Sequence, residues 1–278
     1  LQITNTTSGR SSVATLPSGT KFTTTVDGVS YTFQTLADHT ATDDGNGVYR
    51  FETSSGSFNI PVVEGVSTTK TFYVAESSER QLYIIPDENA DTSTLDVKVY
   101  NSANSSTFTQ YTDLDQAVTV NPQSTYFDIH EAPNGFFELH FGDGLTTGQA
   151  PTAGNKIVVE YLSSNGALAN RATSFTPINT VNVDGTSYTL SVSTAVRSAG
   201  GADKETIETI RQNAPIAYAA QQRLVTANDY VGLITNNYSA VTDVAAWGGE
   251  DNTPREYGKA FVSLKFADGV SAAAQQAV

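Results

Sequence analysis

The stretch FGDGLTTGQAPTAGNKIVVEY, residues 141–161, is either a loop that holds a ligand or a turn between two strands. Apolar residues alternate up to Phe141 and again from Ile157 onward, which is the spacing of half-buried strands. Fourteen residues separate Phe141 from Lys156, more than the roughly 2–5 of a hairpin loop. The pattern predicts two antiparallel strands joined by a long ordered loop, and such loops are well placed to contact a partner.

The glycines of this stretch do not fit a nucleotide-binding loop. Gly142, Gly144 and Gly148 give G-x-G-x-x-x-G, one residue longer than the dinucleotide fingerprint. A strand follows them, so no helix N-terminus is available for a pyrophosphate. The adjacent Gly-Lys-Ser/Thr of a P-loop is also missing, and we therefore interpret residues 142–155 as architecture.

A calcium loop is the second ligand hypothesis, because Asp87, Asn89 and Asp91 have the spacing of the first EF-hand ligands. Position six is Thr92 instead of glycine, and Lys98 stands where the bidentate glutamate belongs. A lysine there places positive charge at the ion's main ligand position. The stretch is therefore interpreted as a solvated acidic turn.

Two of the three histidines suggest a metal site. His130 and His140 are expected on neighbouring strands, close enough to share a metal with Glu131 or Glu138. The simpler interpretation is that they are polar-face residues of an antiparallel pair, and we expect neither a metal nor a cofactor. Because no G-x-S-x-G elbow is present and no carboxylate pair stands out, we predict no catalytic residue and no enzyme activity.

Composition narrows the class of partner. The net charge of −14 repels phosphate backbones and anionic lipid, so nucleic acid and membrane are not expected partners. Charged residues make up 16% of the chain, below the roughly 25% of an average globular protein. No run approaches the ~18 apolar residues of a membrane helix.

The chain divides into three expected modules. Residues 1–65 and 66–199 are rich in strands, and Asp27-Gly28 and Asp184-Gly185 each predict a type I′ hairpin turn. Residues 200–278 switch to a helical pattern followed by two strands and the opening of another helix. The fold class is therefore α+β multidomain, with mainly antiparallel β modules, a sandwich or partly open barrel, followed by a smaller α/β module.

Helix signals place the first cap at Asp203, with Pro215 stopping or kinking that helix. Thr226 and Asp229 have the spacing of a capping box, and Tyr230 and Val231 contribute to an apolar face. The chain begins without methionine and ends in SAAAQQAV, so we expect a fragment whose α/β module is truncated.

Six stretches in fixed order resemble the baseplate J-like family of contractile phage tails and related injection machines, most closely its wedge-forming members. They are FGDGLTTGQAPTAGNKIVVEY, NGALAN (residues 165–170), GGADKETIETIRQNAP, LVTANDYVGLI, VTDVAAW and GKAFVSL. The resemblance implies a structural subunit that joins wedges into a ring around the tail tube and relays conformational change to sheath contraction.

The resemblance also implies self-association as a homodimer, contacts with other wedge and hub proteins, and no small-molecule substrate. It places the protein in the virion baseplate after assembly in the host cytoplasm. A secreted β-sandwich module that binds or cleaves glycans is the alternative. The candidate structural and interface positions are Gly142, Asp143, Gly144, Gly154, Gly200, Gly201, Asp203, Thr226, Asp229, Tyr230 and Val231. Gly65 and residues 198–201 are candidate hinges.

Overall fold

The computed structural model describes residues 1–75, 81–117, 119–220, 223–238 and 241–266. The chain forms two compact units, one of Glu64–Ser164 and one of Leu1–Val63 together with Asn165–Val278. The predicted helix at the C-terminal end lies outside the described residues. No helix of the described part is both long and apolar enough to span a membrane.

Short strands build the N-terminal part of the first unit. They are β1 (Gln2–Thr4), β2 (Val13–Leu16), β3 (Lys21–Val26), β4 (Val29–Gln34), β5 (His39–Thr42), β6 (Val48–Arg50) and β7 (Val63–Glu64). Strands β1 and β6 pair, as do β2 and β5. The predicted Asp27-Gly28 hairpin is confirmed, because β3 and β4 are antiparallel and both turn residues have positive φ.

The second unit is a single seven-stranded sheet. Its strands are β8 (Val66–Tyr73), β9 (Tyr83–Ile85), β10 (Ala90–Tyr100), β11 (Phe108–Asp113), β12 (Tyr126–Glu131), β13 (Phe137–Phe141) and β14 (Lys156–Ser163). Their order is β8-β14-β10-β11-β12-β13-β9, antiparallel except for the parallel pair β11–β12. The sheet curves until its two outer strands meet, since Phe72 and Tyr83 make an edge-to-face contact at 5.5 Å.

Alternating side chains fill the interior of this curved sheet. Val97, Phe127, Leu139, Ile157 and Val159 are buried in one apolar cluster. Burying a side chain of this size contributes about 1.5–3 kcal/mol, so this cluster accounts for much of the unit's stability. Of the two expected architectures, sandwich and partly open barrel, the sheet is the barrel-like one. The sequence pattern does not predict β11.

The remaining elements belong to the first unit. They are β15 (Thr176–Pro177), β16 (Thr180–Val183), β17 (Thr186–Thr189), α1 (Ile207–Ala220), α2 (Ala227–Asn237), β18 (Val241–Gly248) and β19 (Ala260–Phe266). The Asp184-Gly185 hairpin between β16 and β17 is confirmed. With the β modules and this helical segment, the α+β fold class is confirmed.

The division into units differs from the expected boundaries of 1–65, 66–199 and 200–278. Residues 165–199 belong with the N-terminal strands, because Val181, Val183 and Leu190 are buried in the same cluster as Ile3 and Tyr49. Each short hairpin exposes an apolar face that it cannot bury alone. The chain therefore returns to its first strands after it completes the barrel.

Candidate functional site

The glycine-rich loop 142–155 is organised around the carboxylate of Asp143. Its Oδ1 accepts hydrogen bonds from the backbone N–H groups of Leu145, Thr146 and Thr147 at 2.8–2.9 Å. Its Oδ2 accepts from the hydroxyl of Thr146. These bonds, led by the Thr146 hydroxyl, hold the pKa of Asp143 well below its usual range. The carboxylate therefore orders the loop, and its acceptor sites are directed at the loop's own backbone.

Close approaches explain two of the loop glycines. A Cβ at Gly142 would lie 2.1 Å from the carbonyl oxygen of Thr147. A Cβ at Gly148 would lie 2.4 Å from the ring of Tyr126, whose hydroxyl donates to Thr147 O at 2.9 Å. Any side chain at either position would displace backbone or an aromatic ring. The loop is thus closed on itself and tied to β12.

Gly144 and Gly154 serve as turn residues. Both have positive φ, and a Cβ on either would meet no atom closer than 3.6 Å. The N–H of Gly154 donates to Val74 O at 3.0 Å, which fixes the end of the loop against the chain beyond β8. Glycine is favoured at both positions because of the positive φ. A side chain there would not clash with neighbouring atoms.

The NGALAN segment, residues 165–170, contacts the segment that precedes the first helix. The side-chain amide of Asn170 donates to Gly201 O at 2.7 Å, and its oxygen accepts from Gly201 N at 3.0 Å. A Cβ at Gly201 would lie 2.3 Å from Gly166 O. Gly200, the neighbouring candidate, has positive φ and open space around it. Two of the six stretches that resemble the baseplate family, NGALAN and the one that begins at Gly200, therefore contact each other.

Asp203 belongs to this contact and not to the helix, which corrects its predicted role as the first cap. Its Oδ1 accepts from Ala167 N at 3.2 Å. Helix α1 begins at Ile207 and is capped by Thr206, whose hydroxyl oxygen accepts from Thr209 N at 3.2 Å. Aspartate favours helix caps, but the helix begins four residues after Asp203, so Thr206 takes the cap position.

Pro215 does not stop the first helix. Helix α1 continues through it to Ala220. Proline lacks the N–H that would donate to Arg211 O, so the helix lacks one bond at that point. The part of the prediction that ended the helix at Pro215 is therefore wrong.

The second helix has the predicted capping box. Thr226 Oγ1 accepts from Asp229 N at 3.3 Å, and Asp229 Oδ2 accepts from Thr226 N at 2.7 Å. Asp229 Oδ2 also accepts from Val225 N, and these backbone bonds lower the pKa of Asp229. Tyr230 and Val231, the predicted interface residues of this helix, are half-buried.

Few side chains are buried in the helical part of the first unit. Among residues 200–266 whose exposure the structure describes, only Val241 and Gly249 are buried. Large apolar side chains face solvent there, including Ile207 (64% exposed), Tyr218 (82%) and Val225 (79%).

The histidine pair forms as predicted on neighbouring strands. The rings of His130 and His140 lie 4.6 Å apart, and each histidine faces a carboxylate of its own strand, Asp128 at 2.8 Å and Glu138 at 3.7 Å. Within the described residues, no three His, Cys, Asp or Glu side chains are arranged to hold a metal ion. The third histidine, His39, is buried.

A row of aromatic side chains crosses the outer face of the barrel. Tyr73, Lys156, Tyr100 and Phe108 are register partners on β8, β14, β10 and β11. The ammonium of Lys156 lies 4.2 Å from the centre of the Tyr100 ring, and the rings of Tyr100 and Phe108 lie 5.3 Å apart. Tyr73 and Phe108 are exposed. No sequence motif marks this row, because its members are distant along the chain.

Comparison with known proteins gives two similarities. Residues 226–277 match the family described as baseplate structural protein gp6, C-terminal domain I. The baseplate wedge protein gp6 of Enterobacteria phage T4 is 31% identical over 172 residues, which is 53% of this chain and 24% of that protein. The chain thus spans about a quarter of this curated relative. Both similarities point to gp6-like baseplate proteins.

Proposed function

We propose that this chain is a structural, non-catalytic part of the baseplate of a contractile phage tail, and that it acts by binding other protein subunits. The similarity to a baseplate wedge protein supports this function. The hydrogen bonds of the motif residues also support it. Asp143 orders a loop, Asn170 joins two segments and Asp229 caps a helix, so each of these residues has a structural role.

The observation that carries the proposal is the exposed apolar surface of the helical segment. Ile207, Tyr218 and Val225 face solvent, and the described side chains around them include few that are buried. A segment with little core of its own gains stability by association, since hydrophobic burial is the main driving force. We propose that this surface, with Tyr230 and Val231 at its capped helix, mediates self-association as a homodimer.

We further propose that the protein belongs to the baseplate J-like family and joins wedges into a ring around the tail tube. Its partners are then other wedge and hub proteins, and it reaches the virion after assembly in the host cytoplasm. Relay of conformational change to the sheath would require residues 198–201 to act as a hinge. That movement breaks the Asn170–Gly201 hydrogen bonds, so the contact favours one arrangement.

Sedimentation equilibrium over a concentration series tests the central claim. We expect a reversible dimer at tens of micromolar, and we expect Tyr218→Ser with Val225→Ser to shift the chain to monomer. Phe58→Ser, an exposed apolar residue outside the helical segment, is the matched control and leaves the dimer intact. A chain that remains monomeric throughout the series contradicts self-association through this surface.

Glycan binding is the second candidate, and the aromatic row favours it. Tyr73 and Phe108 are exposed on the outer face of the barrel, and polar side chains such as Thr71 and Gln110 lie on the same strands. Aromatic rings with nearby hydrogen-bonding groups suit sugar rings, which have both apolar and hydroxyl-bearing surfaces. A glycan array on the intact chain and on Tyr73→Ala distinguishes the candidates. If the chain is monomeric and binds a glycan that the Tyr73→Ala variant no longer binds, the result favours glycan binding.

A further inference from the structure

The loop that joins β18 to β19, residues 249–259, is held in one conformation by its own hydrogen bonds. Gly249 N donates to Lys259 O at 2.8 Å, and Glu256 N donates to Gly249 O at 2.8 Å. A Cβ at Gly249 would lie 1.9 Å from the carbonyl oxygen of Glu256, so the two sides of the loop touch. The loop is longer than the roughly 2–5 residues of a hairpin connection, and ordered loops of this kind often carry binding residues.

The single tryptophan of the chain lies at the start of this loop. The indole N–H of Trp247 donates to Asn252 Oδ1 at 2.8 Å, and its ring stacks on Phe261 with centroids 5.9 Å apart. Trp247 is half-buried, whereas Tyr257 within the loop is 72% exposed. Tryptophan, tyrosine and arginine dominate the binding energy of protein interfaces. A loop that already holds them in place loses little entropy when a partner binds.

Two exposed side chains of opposite charge in this loop form no ion pair with any described residue. The guanidinium of Arg255 donates to the Tyr257 hydroxyl at 3.2 Å, and no described carboxylate pairs with it. No described cation pairs with the carboxylate of Glu250, because the nearby Lys259 is paired with Glu256. The loop therefore carries an acid and a base that its conformation keeps apart.

The geometry points to a contact between two copies of this chain: we propose that their 249–259 loops meet about a two-fold axis, with Arg255 of each copy bound to Glu250 of the other. In a two-fold contact the same patch serves on both sides, so both charges are paired at once. A partner whose surface carries one sign of charge would leave Arg255 or Glu250 unpaired. A second copy is therefore the occupant that the charges of the loop fit, and Tyr257 adds aromatic surface beside Arg255.

This inference rests on the proposed structural function and adds a second contact to it. The proposed function assigns self-association to the helical surface around Tyr218 and Val225, whereas the loop lies between two strands. One two-fold patch closes a dimer and stops there, but two different patches on one chain allow larger assemblies. A subunit of a multi-protein structure needs such a second patch.

The fluorescence of Trp247 reports this contact, because a loop that covers its counterpart withdraws the chain's only indole from water. The experiment uses the intact chain with Tyr218→Ser and Val225→Ser, a background that removes the proposed helical contact. We expect its emission maximum to shift to shorter wavelength as the protein concentration rises through the micromolar range. Sedimentation equilibrium over the same range should show a dimer.

Exchange of the two charges tests the pairing itself. In the same background, Arg255→Glu and Glu250→Lys each place like charges opposite each other, and we expect either to raise the dimer Kd at least ~10-fold. An equimolar mixture of the two variants should associate again, because opposite charges then face each other across the axis. Arg50→Glu makes the same change of charge at an exposed position on β6 and should leave association unchanged. Circular dichroism checks that each variant is folded.

Two outcomes overturn the proposal. The first is an emission spectrum and a sedimentation profile of the background chain that do not change with concentration, and the second is a mixture that associates no better than each variant alone. A wild-type chain that dimerises while the background chain stays monomeric is the first outcome with the helical contact intact. Association of the background chain equal to that of wild type supports the loop contact and contradicts the helical one, so the two proposals fail separately.

Discussion

Asn170 and Gly201 hydrogen bond to each other in both directions, with the amide of Asn170 donating to Gly201 O at 2.7 Å and accepting from Gly201 N at 3.0 Å. A side-chain amide that satisfies both polar groups of one backbone residue substitutes for a strand partner. The contact fixes the chain at the point where the β structure gives way to the helices. Its disruption is therefore the most direct way to loosen the helical segment.

We predict that Asn170→Ala destabilises this junction by about 1–3 kcal/mol, because both backbone groups of Gly201 lose their partner. Gly201→Ala has a comparable or larger effect, since its Cβ would lie 2.3 Å from Gly166 O. Limited proteolysis is expected to cut residues 198–206 earlier in both variants.

Ala202→Ser is the matched control, because Ala202 is exposed and lies beside the same contact. Its cleavage pattern and melting temperature should equal those of the wild-type chain. If Asn170→Ala is cleaved no faster than this control, the contact does not hold the junction.

The loop carboxylate gives a pH-dependent prediction. The pKa of Asp143 is depressed in the folded chain, so its contribution to stability is fully present above the ordinary carboxyl pKa of about 3.9. That contribution is lost as the pH falls through the depressed folded value. Asp143→Asn should therefore lower the melting temperature at pH 7, and the difference from wild type should shrink in more acidic buffer.

Differential scanning calorimetry of both chains between pH 7 and pH 2 measures this difference. Asp251→Asn, a conservative change at an exposed position outside the loop, controls for general charge effects. A gap between Asp143→Asn and wild type that stays constant down to pH 2 would show that the carboxylate's charge does not order the loop.

The capping box of α2 is a separate source of local stability. Thr226→Ala removes the side-chain acceptor for Asp229 N and should destabilise the helix by about 1 kcal/mol. Thr235→Ala makes the same substitution at an exposed position within the helix, where alanine favours helix formation. The helical signal at 222 nm during thermal unfolding should fall earlier for the first variant and no earlier for the second.

Much of the fold was predictable because its signals are local. Asp27-Gly28 and Asp184-Gly185 specify hairpins through the positive φ that both residues must adopt. The Thr226–Asp229 box needs only a three-residue spacing. Alternation likewise predicted the strands that flank the loop 142–155, and the role of Asp143 is contained within five consecutive residues.

The errors arose where partners are distant along the chain. Asp203 resembles a helix cap locally, but its partner is Ala167, 36 residues earlier. Residues 165–199 join the N-terminal strands because their apolar side chains complete a core that no local pattern reveals. The aromatic row is formed by side chains from four strands that are distant along the chain, so no sequence motif identifies it.

The last prediction concerns the buried His39, because replacing it should remove the energetic penalty of an unpaired polar group without changing the proposed interfaces. His39 is 5% exposed, and neither of its ring nitrogens has a hydrogen-bond partner in the described structure. A buried polar group without a partner destabilises a fold by about 1–3 kcal/mol, so His39→Leu should raise the free energy of unfolding. Urea denaturation measures the change, and His140→Leu, at an exposed position, should be nearly neutral. A His39→Leu chain less stable than wild type would indicate that the imidazole has a partner, such as a buried water molecule, that stabilises the fold.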